Sequence, residues 1–141
     1  MTEWEQRLAG AGCRITAPRR AVIAVLMNAD APLLPQEILE QAQTVHRKLG
    51  LVTVYRTLNL LSELSLVRRV HREDGCHGYL PASAGHRHAL ICRNCHRAVE
   101  FTGHNDLHAL IERVEARTGY RVDDHLLQLL GLCPHCQERE G

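Results

Sequence analysis

The sequence predicts an α+β fold in two parts. Three observations carry this: helical periodicity fills residues 1–64, a short hairpin pattern follows at 67–80, and two Cys-x-x-Cys pairs bracket a C-terminal stretch of strand, helix and strand. A chain of 141 residues suffices for one ordinary domain or two small ones, and two small cores need additional support.

The first helix is signalled by Thr2 with Glu5 three positions later, an N-terminal capping pair, and should fade near Gly10 and Gly12. A second begins around Pro18, whose missing N–H costs nothing in a first turn, and buries Val22, Val25 and Leu26. Pro35 opens a third helix that buries Ile38, Leu39 and Ala42 and ends at Gly50. The fourth is expected over Thr53–Leu64 with Thr53 as cap. At about 100° per residue, Val54, Leu58 and Leu61 share one side, leaving Tyr55, Arg56 and Asn59 on the other, free to read a partner. Residues 67–72 and 77–80 form a hairpin across the acidic turn Glu73-Asp74-Gly75.

The small-residue stretch 81–85 is the candidate hinge. Beyond it, strands at 88–92 and 97–101 flank the first Cys-x-x-Cys turn. A helix from Asp106 to Thr118 places Leu107, Leu110, Ile111 and Val114 at core spacing, with Gly119 past its end. Tyr120–Leu132 is ambiguous by periodicity, and its position suits a long strand.

Seventeen basic against sixteen acidic residues give no overall cationic signature, although residues 1–80 carry the slight basic surplus. Ten histidines are a stronger anomaly, and seven of them fall between His71 and His108. Met1–Gly10 has no apolar core segment and no run reaches membrane-spanning length, so a cytoplasmic location is expected. In a reducing compartment, paired cysteines hold metal more often than they form disulfides.

Cys92-x-x-Cys95 and Cys133-x-x-Cys136 each offer two thiolates on one turn, the ligand set of a closed tetrahedral structural zinc site. The metal would tie the start of the C-terminal part to its end and add folding free energy on the order of 10 kcal/mol. Paired disulfides and an iron centre on the same thiols are the alternatives. Four cysteines leave zinc no position for water, and no nucleophile and base are paired in the sequence, so an enzyme is not expected.

Three segments in order resemble the ferric uptake regulator family: Cys13-Arg-Ile-Thr-Ala-Pro-Arg-Arg20, Leu51-Val-Thr-Val-Tyr-Arg-Thr-Leu58 and His86-Arg-His-Ala-Leu-Ile-Cys-Arg-Asn-Cys95. The resemblance spans about residue 6 to Cys136. It implies an N-terminal winged helix-turn-helix DNA-binding domain over 1–80, a hinge at 81–85, and a small α/β dimerisation domain with the four-cysteine zinc site over 86–141. The chain would then be a cytoplasmic, homodimeric, metal-dependent repressor that binds a double-stranded operator. Thr53, Tyr55, Arg56 and Asn59 would face the DNA, a ring meeting thymine methyls and a guanidinium guanine or phosphate. Arg14, Arg19 and Arg20 would contact backbone or minor groove, and Arg68, Arg69 and Arg72 would charge the wing.

His86 and His88, two apart on a strand, project from one face. The resemblance adds His108 and His125 to them as a regulatory metal site, with imidazoles where iron-selective members use carboxylates at two places. Such a donor set suits zinc better than iron or manganese. The family's second regulatory site matches less well: Leu33 or Leu34 replaces a histidine, and Arg87 and Ala89 stand where imidazoles would be. His71, Cys76 and Glu100 remain, a set similar to the sulfur-containing sensor site of zinc uptake regulators. The expected function is zinc-responsive control of zinc uptake genes. Alternatives are an iron- or peroxide-responsive member and a zinc-ribbon binding module with no DNA role.

Overall fold

A computed structural model describes residues 2–72, 75–82, 88–102 and 107–140, which fall into two compact units, Met1–Ala82 and Ser83–Gly141. Among the described residues no helix is long and apolar enough to cross a membrane.

In the first unit, helix α1 (Glu3–Gly10) opens on a reciprocal capping box, the Glu5 N–H donating to Thr2 Oγ1 and the Thr2 N–H to Glu5 Oε2, both at 3.2 Å. Thr16 Oγ1 caps α2 (Ala17–Met27) by accepting from the Arg19 N–H, and Pro18 sits in the first turn. Helix α3 (Pro35–Ala42) starts at its proline, and Glu37 Oε1 accepts from the Leu34 N–H at 2.8 Å. Helix α4 spans Leu51–Glu63. Strands β1 (Val67–His71) and β2 (His77–Pro81) pair antiparallel, from Val67 opposite Pro81 to His71 opposite His77. Val22, Leu26, Ile38, Ala42, Val54 and Leu61, drawn from α2, α3 and α4, are wholly buried together.

Two boundaries differ from expectation. Gly50 does not end the third helix, which stops at Ala42; it is the N-cap of α4, in extended conformation and without a side-chain cap. Leu49, buried just before it, pins the start of α4, so Thr53 lies inside the first turn instead of capping it. Its carbonyl accepts from the Thr57 hydroxyl at 2.8 Å.

The loop before α3 joins the hairpin, since Leu33 and Tyr79 exchange backbone hydrogen bonds of 3.0 and 2.9 Å. This brings Pro32 onto Gly78, where a Cβ would stand 2.5 Å from the Pro32 Cβ. Only the missing side chain allows the approach.

The second unit contains a three-stranded sheet of order β4-β3-β5. Its central strand β3 (His88–Cys92) runs antiparallel to β4 (Ala98–Phe101) and parallel to β5 (Gln128–Gly131). Helix α5 (His108–Thr118) ends on Gly119 in the left-handed region at φ 75°. A final helix, α6 (Pro134–Glu140), begins inside the second cysteine pair and was not foreseen in the sequence.

Two expectations fail here. Residues 119–127 have no regular structure, so the long strand predicted for Tyr120–Leu132 shrinks to β5, the only part that finds a partner in β3. The core spacing of α5 buries nothing fully within its own chain: Leu110 and Val114 are exposed, alongside Val99, Leu126, Leu129 and Leu130 elsewhere in the unit. Asp106 and residues 83–85 of the expected hinge lie outside the described residues.

Gly78→Ala should lower unfolding free energy by about 1–3 kcal/mol, the cost of overpacking against backbone that cannot retreat. Urea denaturation of the purified protein measures this, and an unchanged midpoint would count against the Gly78–Pro32 approach.

Candidate metal centre and nucleic-acid interface

Cys92 ends β3, Cys95 closes the following turn, Cys133 follows β5, and Cys136 lies in the first turn of α6. The parallel pairing of β3 with β5 aligns Cys92 with Gly131, and the Arg93 N–H donates to the Gly131 carbonyl at 2.8 Å, so the two knuckles face each other at one sheet end. The first knuckle is tightened by the His96 N–H donating to the Cys92 carbonyl, with His96 itself in the left-handed region at φ 67°.

All four sulfurs lie within 4.8 Å of one another, and Cys95 Sγ and Cys133 Sγ are 3.8 Å apart. A tetrahedron with metal–sulfur bonds of about 2.3 Å has edges of about 3.8 Å, whereas a disulfide needs about 2.05 Å. The spacing fits a metal ion held by four thiolates, and Cys92 and Cys136 are buried.

The thiols are not equivalent. Backbone N–H groups, above all that of Cys133 at 3.4 Å, then those of Cys95 and Asn94, hold Cys92 down to about 5 from its usual 9.0. The Asn94 amide donates to Cys136 Sγ at 3.3 Å and lowers it, but the Cys133 thiol, burial, and the Cys92 and Cys95 sulfurs together push it up to about 11. The two thiols are thus pushed in opposite directions, Cys92 toward the thiolate and Cys136 toward the protonated form. Asn94 was not singled out in the sequence, because an amide between two cysteines carries no signal until a chain-distant sulfur is placed beside it.

The expected regulatory histidines are only partly brought together. The rings of His88 and His125 stand 5.3 Å apart, His88 buried and also 5.5 Å from the Phe101 ring. His108 is exposed at the start of α5, and His86 lies outside the described residues. Among the described residues, the four cysteines are the one group of three or more potential ligands found in mutual reach.

Of the expected hinge set, His71 and exposed Cys76 belong to the first unit and Glu100 to the second. His71 stacks edge-on against His77 at 5.4 Å, and Arg69 Nη2 lies 3.2 Å from His77 Nδ1. Cys13, by contrast, is half-buried against the apolar core of the first unit.

On α4, Val54, Thr57, Leu58 and Leu61 are buried, while Tyr55, Arg56 and Asn59 are exposed and Thr53 is half-buried. Arg14 is exposed and its carbonyl accepts from Arg19 Nη1, and Arg20 lies 3.4 Å from Glu5. Of the arginines expected to charge the hairpin, Arg68 is half-buried and Arg69 exposed. Arg72 is 14% exposed and pairs at 3.2 Å with Glu37, the residue that caps α3, so it serves the fold of the first unit.

The pattern of the ferric uptake regulator family matches residues 10–130. The chain belongs to this family. The ferric uptake regulation protein of Legionella pneumophila is 33% identical over 145 residues, covering 96% of this chain and 99% of the relative. That of Campylobacter jejuni is 29% identical over 136 residues, covering 92% and 83%. A zinc uptake regulator solved with zinc and DNA shares the fold with a TM-score of 0.74 at 22% identity, covering 99% of both chains. Ferric uptake regulator membership makes the protein a metal-responsive, DNA-binding transcriptional regulator and not an enzyme. The alternative of a zinc-ribbon module without a DNA role is thereby set aside.

The sign of the Cys92 shift fixes a pH dependence. A lowered value means that the thiolate's contribution is complete above the usual 9.0 and is lost as pH falls through about 5. Because every bound thiolate competes with protons, metal retention after dialysis should weaken as pH is lowered, and Cys92→Ser should lose metal at pH 7 where the wild-type chain keeps it. Equal retention by the variant would show that Cys92 is not a ligand.

Proposed function

We propose that the protein is a zinc-responsive repressor of zinc uptake genes, acting in the cytoplasm as a homodimer on a double-stranded operator. The observation that carries the choice of zinc is the approach of His88 and His125, two imidazoles at positions of the family's regulatory site. With His86 and His108 they would supply four nitrogen donors, which suit zinc better than iron. The four cysteines would hold a permanent structural zinc ion, the thiolate-only set leaving no open coordination position.

His71, Cys76 and Glu100 would form a second, sensing set between DNA-binding and dimerisation domains, taken as 1–80 and 86–141 across a hinge at 81–85. A thiolate in that set again favours zinc. Homodimer formation is supported by the apolar side chains of Leu110, Val114, Leu129 and Leu130, all exposed in the single chain. Repression follows if metal bound between domains holds two recognition helices at operator spacing, a coupling of about 3–5 kcal/mol being enough.

Thr53, Tyr55, Arg56 and Asn59 would meet base edges, and Arg14, Arg19 and Arg20 the backbone or minor groove. The second reading is an iron- or peroxide-responsive regulator, and its iron form is favoured by the similarity to the ferric uptake regulation proteins of Campylobacter jejuni and Legionella pneumophila. Operator titration with zinc, iron and manganese separates the two: zinc should activate binding at the lowest free concentration, and activation by iron alone would reject the zinc reading. Combined Tyr55→Ala and Arg56→Ala substitution should weaken operator binding by at least about 30-fold, two base contacts at roughly 1–3 kcal/mol each, with the dimer intact by sedimentation.

A further inference from the structure

We propose that Val52 is a specificity-determining residue of the DNA interface, reading a thymine methyl group in the major groove. This rests on α4 being the helix that enters that groove. Val52 lies in the first turn of α4, directly after Leu51, and is 63% exposed. The first turn of a recognition helix is the part that reaches base edges. At about 100° per residue Val52 falls about 40° from Arg56 and about 20° from Asn59, so it heads the exposed stripe that those two residues continue. Tyr55, 47% exposed, flanks the same stripe.

A valine there gains no burial in its own chain, and its branched Cβ makes it a poorer helix former than alanine or lysine. Its χ1 is nearly fixed in a helix, so its two methyls are presented in one orientation. Thymine is the base that offers an apolar group in the major groove, and contact with its C5 methyl is the apolar part of direct readout. The surroundings favour nucleic acid over an apolar protein partner: exposed Arg47 and Lys48 lie just before Leu49 and the Gly50 cap of α4, and exposed Arg56 and Asn59 share the face of Val52. Cations that neutralise phosphates on either side would place the valine against the base edges.

The test uses the full chain with zinc and a duplex that the wild-type protein enriches from a random pool, each thymine replaced in turn by deoxyuridine. Deoxyuridine lacks only the C5 methyl. At one thymine position the wild-type protein should lose about fourfold in affinity, the worth of one buried methyl group. Val52→Ala should bind the thymine duplex correspondingly weaker and show no further loss at that position, while retaining the penalties at every other thymine. An unchanged deoxyuridine profile in Val52→Ala would overturn the assignment while leaving α4 as the reader. Wild-type-like binding by the Tyr55→Ala, Arg56→Ala variant would instead remove α4 from the groove, and the valine with it.

Discussion

The second unit depends on four sulfur atoms held within bonding reach of one ion. Its sheet has three short strands, its helix α5 buries no residue fully in the chain, and nine residues between α5 and β5 have no regular structure. So small a core is marginal by itself. A metal held there would close the chain between the end of β3 and the start of α6, supplying cohesion that apolar burial does not. The parallel register of β3 and β5 delivers both knuckles to the same sheet end, so strand pairing and ligation reinforce each other.

The first unit is built on the opposite principle. It has a continuous apolar core from four helices and the hairpin, and its polar side chains mostly tie elements together. Glu37 caps α3 and anchors Arg72 from the hairpin, while Gly78 lets the loop before α3 press against β2. Such ties hold α4 with one face sealed and the other exposed. The role proposed for α4 in reading DNA would need that rigidity, because a hydrogen bond to a base edge weakens steeply once its donor slips by an ångström.

The two units are stabilised by different means. The first closes an apolar core of its own, whereas the second gathers four cysteines where its apolar burial is slight.

Much of this was legible in the sequence because it is local or strictly periodic. Thr2 with Glu5, Pro18 and Pro35 mark helix starts through backbone groups within four residues, and the buried positions of α4 follow from its 3.6-residue period. The cysteine pairs announce a metal by spacing alone. What the sequence could not decide depended on partners distant in the chain. The strand after Gly119 exists only where β3 pairs with it, the apolar face of α5 is only partly covered among the described residues, Arg72 is drawn from the hairpin to Glu37, and Asn94 gains a role only once Cys136 is packed beside it. Short-range hydrogen bonds and periodic burial are written residue by residue, whereas pairing, cover and ligation are settled by which distant atoms the fold brings within a few ångströms.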